Sequence, residues 1–401
     1  MSKPVSRRRV FYIPGYDPIH PRRYRELYRK EGAAQAALSG YDIDLKPQDK
    51  SGKAKRYGWH VTGDIEGVRT ETDFEVLVWS DIVRDSMEQG IAATYAQLVR
   101  TAWTYIASGA LLRLMRLRKG PVIAALYPVG FLLVQLALAL AAAGGLAQLL
   151  ALVHPWAAWG GIIIIPFLLN WFRKKDNKFF AYYLMHDYAY SARYRGANPP
   201  ELEARMAEFA DEIAQALQGD SDEVLVVGHS SGAHLGVSIL ADLVRAGKVP
   251  RDGPTLSFLS LGQVVPMVSF LRDAWRLRAD LAYLSARDEL TWVDVSAPGD
   301  GCAFALCDPV AVSGVAPENK RWPLVLSAAF TQTLSPARWK ELRWKFFRLH
   351  FQYLCAFDQP GDYDYFRITA GPQRLNERYR DRQPSKSRIT SPVNRYTSVT
   401  R

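Results

Sequence analysis

One long stretch without charge constrains this sequence most. Residues 121–172 contain no Asp, Glu, Lys or Arg over 52 positions. A single helical crossing of a lipid bilayer takes about 20 apolar residues, so this length predicts two crossings joined by a short turn. We expect a transmembrane hairpin with helices over 121–143 and 149–172. The alternative is a buried hairpin in the core of a soluble protein, which so long a charge-free run disfavours.

Basic residues flank the charge-free stretch on both sides. They are Arg113, Arg116, Arg118 and Lys119 before it, and Arg173, Lys174 and Lys175 after it. Because positively charged flanks stay on the cytoplasmic side of a membrane, an integral membrane protein with its soluble parts in the cytoplasm is predicted. The bend of the hairpin falls either at Gly144-Gly145 or at His154-Pro155.

The residues just before the hairpin, 87–120, carry apolar side chains at mostly helical spacing. Such a pattern predicts an amphipathic juxtamembrane helix that lies along the bilayer surface. A helix packed into the protein core is the equally supported alternative.

Charge and cysteine content narrow the class of protein. Lys and Arg number 51 and Asp and Glu 40, a net charge of +11. This excess suits nucleic acid or an anionic membrane, and the hairpin favours membrane lipids as partners, since no nucleic-acid-binding module is recognisable.

Cys302, Cys307 and Cys355 are too few for a disulfide framework and lack the CxxC spacing of a zinc site, so a reducing compartment is expected. The N-terminus has too short an apolar run for a cleaved export signal.

Outside the hairpin, strands and helices alternate, which predicts an α/β fold with a mostly parallel sheet flanked by helices. We expect one domain in two parts, 1–86 and 173–379, followed by a disordered basic tail over 380–401. Residues 42–55 read as a charged loop. The predicted strands are 9–13, 56–61, 74–79, 223–228, 256–261 and 290–297, with WPLVLSAAF (322–330) and KFFRLHFQYL (345–354) as further candidates. The predicted helices are 21–38, 201–217, 232–246 and 267–286.

A glycine-flanked serine stands between one of these strands and a helix. The motif is Gly228-His229-Ser230-Ser231-Gly232, directly after the apolar run EVLVV. This is the strand-turn-helix arrangement of a nucleophile elbow, in which larger residues at the glycine positions would collide with backbone. A plain tight turn is the alternative, but the context favours Ser230 as a nucleophile.

At these residues the sequence resembles the α/β-hydrolase superfamily, in its lipase and esterase branch. The resemblance covers roughly 1–85 and 200–380 and rests on the elbow and the strand order. It implies the chain order nucleophile, acid, histidine. Of the two histidines after Ser230, His234 follows with no acid between, so His350 is the implied base.

The resemblance also implies an acid on a loop after a late strand. Asp300 in TWVDVSAPGDGC is the preferred candidate, although a common turn sequence surrounds it. Asp308 is the runner-up, and Asp294 lies in mid-strand, where a buried carboxylate needs partners. His229 and His234 are expected to serve packing.

Two backbone N–H groups are implied as the oxyanion hole. Ser231, after the nucleophile, supplies one. Tyr16, after the strand and turn FYIPG, supplies the other, although a plain Pro-Gly turn explains that segment equally well. No metal or nucleotide cofactor is required, and no phosphate-binding glycine motif is evident.

The function expected is a membrane-anchored serine hydrolase acting on a carboxylic ester or thioester, with a lipid-like or small acyl substrate. An acyltransferase or a thioesterase would use the same triad. A non-catalytic membrane scaffold with a hydrolase-like fold is the alternative from another class.

Overall fold

The computed structural model describes residues 3–48 and 56–401. Its strands are β1 (Arg7–Ile13), β2 (Asp42–Pro47), β3 (Gly58–Ile65), β4 (Val68–Val76), β5 (Glu223–His229), β6 (Thr255–Leu261), β7 (Leu290–Ser296) and β8 (Leu324–Ser327). They form one sheet in the order β2-β3-β4-β1-β5-β6-β7-β8. Neighbours from β4 through β8 are parallel, whereas β3 runs antiparallel to β2 and β4. The prediction of an α/β fold with a mostly parallel sheet is confirmed.

Helices surround this sheet and extend away from it. They are α1 (Arg22–Ser39), α2 (Ser80–Met87), α3 (Ile91–Ala107), α4 (Ala110–Leu117), α5 (Lys119–Ala151), α6 (Ile164–Lys174), α7 (Asp176–Phe179), α8 (Ala181–Arg193), α9 (Pro200–Ala216), α10 (Ser231–Arg245), α11 (Val265–Ser269), α12 (Trp275–Ser285), α13 (Pro309–Val312), α14 (Phe330–Thr333), α15 (Pro336–Leu342), α16 (Phe346–His350), α17 (Tyr365–Ala370) and α18 (Leu375–Arg378). Two 3₁₀ segments, Pro155–Ile163 and Gln352–Leu354, complete the set.

The first strand joins the two parts of the sheet that the apolar stretch separates in sequence. Val10 of β1 pairs with Phe74 of β4 on one side and with Leu225 of β5 on the other. The segments before and after the hairpin therefore build one sheet.

Side chains alternate between two apolar layers, as the period of two along a buried strand requires. In β5, Leu225 and Val227 face the layer that α1 and α17 cover. Val224 and Val226 face the other layer, which α9, α10 and α12 cover. All four are fully buried, which explains why the strand is a continuous apolar run.

Two helical segments cover the charge-free stretch, Lys119–Ala151 and Pro155–Lys174. Both are long and apolar enough to cross a membrane, by length and composition alone. In the most apolar 18 residues of each segment, only 28% and 11% are buried inside the protein, whereas a core helix is mostly buried. The first helix extends past the predicted 121–143. Gly144 and Gly145 lie within it, and the chain turns just before Pro155, where His154 is extended.

The predicted amphipathic helix over 87–120 is broken into α3 and α4. Gly109 adopts a left-handed conformation (φ 70°) between them, which ends the first helix. Along α3, Leu98 and Tyr105 are buried, whereas Val99 and Trp103 are exposed. One side of this helix therefore packs on the protein while the other presents apolar side chains outward.

Three further expectations were wrong. Residues 42–47 of the predicted loop form the edge strand β2, and residues 49–55 lie outside the described residues. The candidate strand 345–354 is the short helix α16 and a 3₁₀ turn. The predicted helix 267–286 is divided between α11 and α12.

The basic tail, 380–401, differs from the predicted disordered segment. It has little regular structure, but the Ile389 N–H donates to the Leu306 carbonyl at 2.7 Å. The Asn394 side chain donates to the Ser269 carbonyl at 3.0 Å. Backbone hydrogen bonds thus hold a segment whose composition offers few apolar anchors.

Candidate active site

Ser230 occupies a strained turn between β5 and α10. Its φ of 57° and ψ of −121° are unfavourable for a residue with a side chain, at a cost of roughly 1–3 kcal/mol. A Cβ atom at Gly228 would lie 2.6 Å from the Gly232 carbonyl oxygen, and one at Gly232 would lie 2.1 Å from that of Ile13. Both flanking positions therefore require glycine, as the elbow motif predicts.

The loop after β1 lies directly against this serine. A Cβ atom at Gly15 would approach Ser230 Cβ to 3.0 Å and Ser230 Oγ to 3.4 Å. The backbone at Tyr16 is held in place because the Tyr183 hydroxyl donates to its carbonyl. Neither the Tyr16 N–H nor the Ser231 N–H has a hydrogen-bond acceptor within residues 3–48 and 56–401. The two N–H groups predicted for the oxyanion hole are thus without an acceptor in the described residues, one in the loop after β1 and one at the first residue of α10, beside Ser230.

Asp300 and His350 are in direct contact although 50 positions separate them. His350 Nδ1 lies 2.7 Å from Asp300 Oδ2, and both residues are buried. The Tyr353 hydroxyl donates to the same oxygen at 3.0 Å, and the Cys302 N–H donates to Oδ1 at 2.8 Å. Burial alone would raise the pKa of Asp300, but the charge and hydrogen bond of His350, helped by the other donors, hold it below its usual value. The carboxylate is therefore ionised beside the imidazole.

His350 lies at the same carboxyl edge of the sheet as Ser230. The Ser230 N–H donates to the Leu261 carbonyl at 2.9 Å, and a Cβ atom at the next residue, Gly262, would lie 3.2 Å from His350 Cε1. Ser230 Oγ has no hydrogen bond in the described part of the chain. Ser230 Oγ and His350 are therefore not hydrogen-bonded to each other, and a proton transfer between them would need one of the two side chains to turn toward the other.

The two rival acids are engaged elsewhere. Asp308 Oδ1 caps α13 by accepting from the Val310 and Ala311 N–H groups, and Oδ2 pairs with Lys320 Nζ at 2.7 Å. Asp294 is buried in β7, where its Oδ1 accepts from the Ser260 hydroxyl at 2.6 Å and burial raises its pKa to about 7. Of the three candidates, Asp300 is the one that contacts His350.

No protein-family model matches this chain. Comparisons with curated proteins and with solved structures also find no match.

Of the other two histidines near the elbow, His229 is buried and His234 is partly buried. Burial, together with the charge of His350, lowers the pKa of His229 to about 3, and burial lowers that of His234 to about 4. His229 Nε2 lies 3.0 Å from the His350 carbonyl oxygen and so helps to hold the backbone at His350. Their expected role in packing fits these positions.

Within the described ranges, one group of side chains has the donors to hold a metal. It consists of Asp300, Cys302 and His350, whose donor atoms lie within 4.8 Å of one another. Burial raises the pKa of the Cys302 thiol well above its usual value. Asp300 and His350 also bind each other directly, so two of the three donor groups already have a protein partner.

Sequence reasoning missed a second carboxylate near the site. Asp187 lies on α8, one turn after Tyr183, whose hydroxyl binds the Tyr16 carbonyl. Burial raises the pKa of Asp187 to about 7, and the charge of His350 acts in the opposite direction. It is the one acid in the aromatic sequence AYYLMHDYAYSAR. A single acid in an aromatic stretch can be noticed in the sequence. Its position beside the elbow, however, becomes known only from the fold, which packs α8 there.

Asp187→Asn is expected to change how stability depends on pH. Because the folded state raises the Asp187 pKa, this group stabilises the fold fully below about pH 4 and loses that effect as pH rises through about 7. Relative to the wild type, the variant should gain up to about 4 kcal/mol between pH 4 and 8. Chemical unfolding of both proteins across that range measures the difference. A difference that does not vary with pH would contradict the raised pKa.

Proposed function

We propose that this chain is a membrane-anchored serine hydrolase that cleaves carboxylic esters or thioesters of lipid-like acyl groups. Ser230 is the nucleophile, His350 the general base and Asp300 the orienting acid. The observation that carries the proposal is the buried Asp300-His350 hydrogen bond, at the same sheet edge as the strained Ser230. A serine nucleophile, an imidazole base and a carboxylate form one of the recurring arrangements for acyl transfer.

The first half of the reaction acylates the serine. Asp300 holds the Nδ1 side of the imidazole, so Nε2 is the atom that takes the Ser230 proton as Oγ attacks the acyl carbonyl carbon. The N–H groups of Ser231 and Tyr16 donate to the oxyanion that forms. His350 then returns the proton to the departing alcohol or thiol when the tetrahedral intermediate collapses.

The second half releases the acyl group. Water gives a proton to His350 and attacks the Ser230 ester, and the same two N–H groups stabilise the second oxyanion. The His350 cation returns the proton to Ser230 Oγ as the carboxylic acid departs. Asp300 stabilises the cation at both stages because its lowered pKa keeps it ionised.

The insertion supports the membrane part of the proposal. Large apolar side chains are exposed along both helical segments, among them Ile123, Leu133, Leu138, Trp156, Trp159, Phe167 and Trp171. In water such a surface would be unfavourable, whereas in a bilayer it contacts acyl chains. Basic residues border both ends of the hairpin, which favours a cytoplasmic location for the hydrolase domain. A site held at a bilayer favours acyl lipids as substrates.

A serine-directed fluorophosphonate probe tests the enzymatic part. We expect full-length protein in detergent micelles to be labelled on Ser230, with the site mapped by mass spectrometry. Labelling should disappear in Ser230→Ala and persist in Ser238→Ala, which alters a buried serine of α10 away from the site. Folded wild-type protein that takes up no label would favour the non-catalytic scaffold.

A further inference from the structure

Exposed aromatic and basic side chains lie side by side in the residues that lead into α16, the helix that carries His350, and in its first turn. In the 343–348 segment (Arg-Trp-Lys-Phe-Phe-Arg), Trp344 is 73% exposed and Phe346 is 49% exposed. The three basic side chains of the segment are also exposed. One carboxylate, Glu341, lies within 4 Å of Lys345 and Arg348, so the segment keeps a net positive charge. Amphipathic aromatic rings beside cations are typical of a membrane interface.

The 343–348 segment adjoins the start of the first apolar helix. A Cβ atom at Gly301 would lie 3.2 Å from Phe346 Cδ1. One at Gly120, in the first turn of α5, would lie 3.2 Å from Gly301 Cα. Gly301 thus fills the narrow space between the segment and the base of the hairpin.

The same segment adjoins the chain that leaves the hairpin. The rings of Phe347 and Phe180 lie 4.8 Å apart, and Phe180 follows the end of α6 by six positions. Phe347 also contacts Tyr183 of α8, with ring centroids 6.0 Å apart. The 343–348 segment is therefore next to both ends of the hairpin, where a bilayer that holds the hairpin would have its surface.

We propose that the 343–348 segment is a second membrane contact, which inserts Trp344 and Phe346 among the headgroups of an anionic bilayer. This inference rests on the membrane anchoring in the proposed function. Its consequence concerns the site, because α16 begins at Phe346 and ends at His350, and Gly301 follows Asp300. Both members of the acid-base pair then lie within a few residues of the bilayer surface, where an acyl lipid can enter without crossing water.

Spin labels on the full-length protein in phosphatidylcholine-phosphatidylserine vesicles test this contact. One label is placed by Trp344→Cys, one by Leu138→Cys on α5, and one by Leu38→Cys on α1, the last two positions each being 51% exposed. Labelled wild-type protein gives the background of the native cysteines. Collision rates with oxygen and with a water-soluble nickel chelate report the depth of each label. We expect the ratio of oxygen to nickel collisions at position 344 to be clearly higher than at position 38 and lower than at position 138.

The three positions separate two kinds of failure. If position 138 lies in lipid while position 344 matches position 38, the second contact is wrong and the anchoring stands. If position 138 also matches position 38, the anchoring itself is wrong, and the inference falls with it. Vesicles of phosphatidylcholine alone, or Arg343→Gln with Lys345→Gln, should move position 344 toward water and leave position 138 unchanged. If the depth of position 344 stays the same in phosphatidylcholine alone and in the double variant, anionic lipid has no role in this contact.

Discussion

Replacing His350 with alanine is expected to lower kcat for ester hydrolysis by about 10⁶-fold, because the base and nucleophile of a serine hydrolase act as one unit. Without the imidazole, Ser230 remains a neutral hydroxyl and loses the proton acceptor that the proposed mechanism assigns to it. The other two histidines near the elbow do not replace it, since burial holds the pKa of both far below neutral. The rate of release of a chromogenic short-chain ester product measures the effect.

The matched control is His234→Gln. His234 is partly buried on α10, and its buried Nδ1 has no hydrogen-bond partner in the described residues. We expect this variant to keep kcat near the wild-type value. Free imidazole added to His350→Ala should restore part of the rate, which loss of folding would not allow. Undiminished hydrolysis by folded His350→Ala would remove the base from the mechanism.

Local patterns in the sequence predict most of the sheet. EVLVVG gives β5 because a strand buried on both faces needs apolar residues at successive positions. The elbow follows from the glycines, since backbone atoms occupy the space that a side chain at either flanking position would need. Both features depend on residues close together in the chain, so the local sequence pattern is enough to predict them.

The errors arose where distant packing decides local structure. Phe346 through His350 is rich in aromatic residues, which favours a strand, but Phe347 packs on Phe180 and Leu349 is buried in a short helix. Asp42 to Pro47 is charged and looks like a loop, yet it pairs with β3 at the sheet edge, where charged side chains reach water. The tail is held by hydrogen bonds to backbone carbonyls, which composition does not register.

The candidate site was predicted in part. The resemblance to α/β hydrolases implies the order nucleophile, acid and histidine, which points to Ser230, Asp300 and His350, and the structure brings Asp300 and His350 into contact. Neither Tyr353, which binds Asp300, nor Asp187 carries a signal strong enough to place it, because each arrives from a separate helix or turn. Long-range placement of such groups depends on how the helices fold over the sheet edge.

Asp300→Asn is expected to lower kcat by about 10⁴-fold while the protein remains folded. In the proposed mechanism the carboxylate has two functions: it holds His350 with Nδ1 protonated, and it stabilises the cation that forms when His350 takes the Ser230 proton. An amide removes the charge and also offers an N–H where Nδ1–H needs an acceptor, so the imidazole is held in the wrong tautomer. Steady-state hydrolysis, with the melting temperature measured on the same samples, separates this loss from unfolding.

Asp308→Asn is the matched control because it makes the same chemical change at the rival acid. Asparagine retains an oxygen that can cap α13, so the variant loses mainly the ion pair with Lys320. Its kcat should stay near that of the wild type, with a modest fall in melting temperature. The reverse result, in which Asp308→Asn loses turnover and Asp300→Asn retains it, would mean that the 2.7 Å contact with His350 is structural and that the catalytic acid lies elsewhere. Ion pairing and helix capping satisfy Asp308, whereas the Asp300 carboxylate is bound to the imidazole of His350, and this difference is the reason for expecting the first outcome.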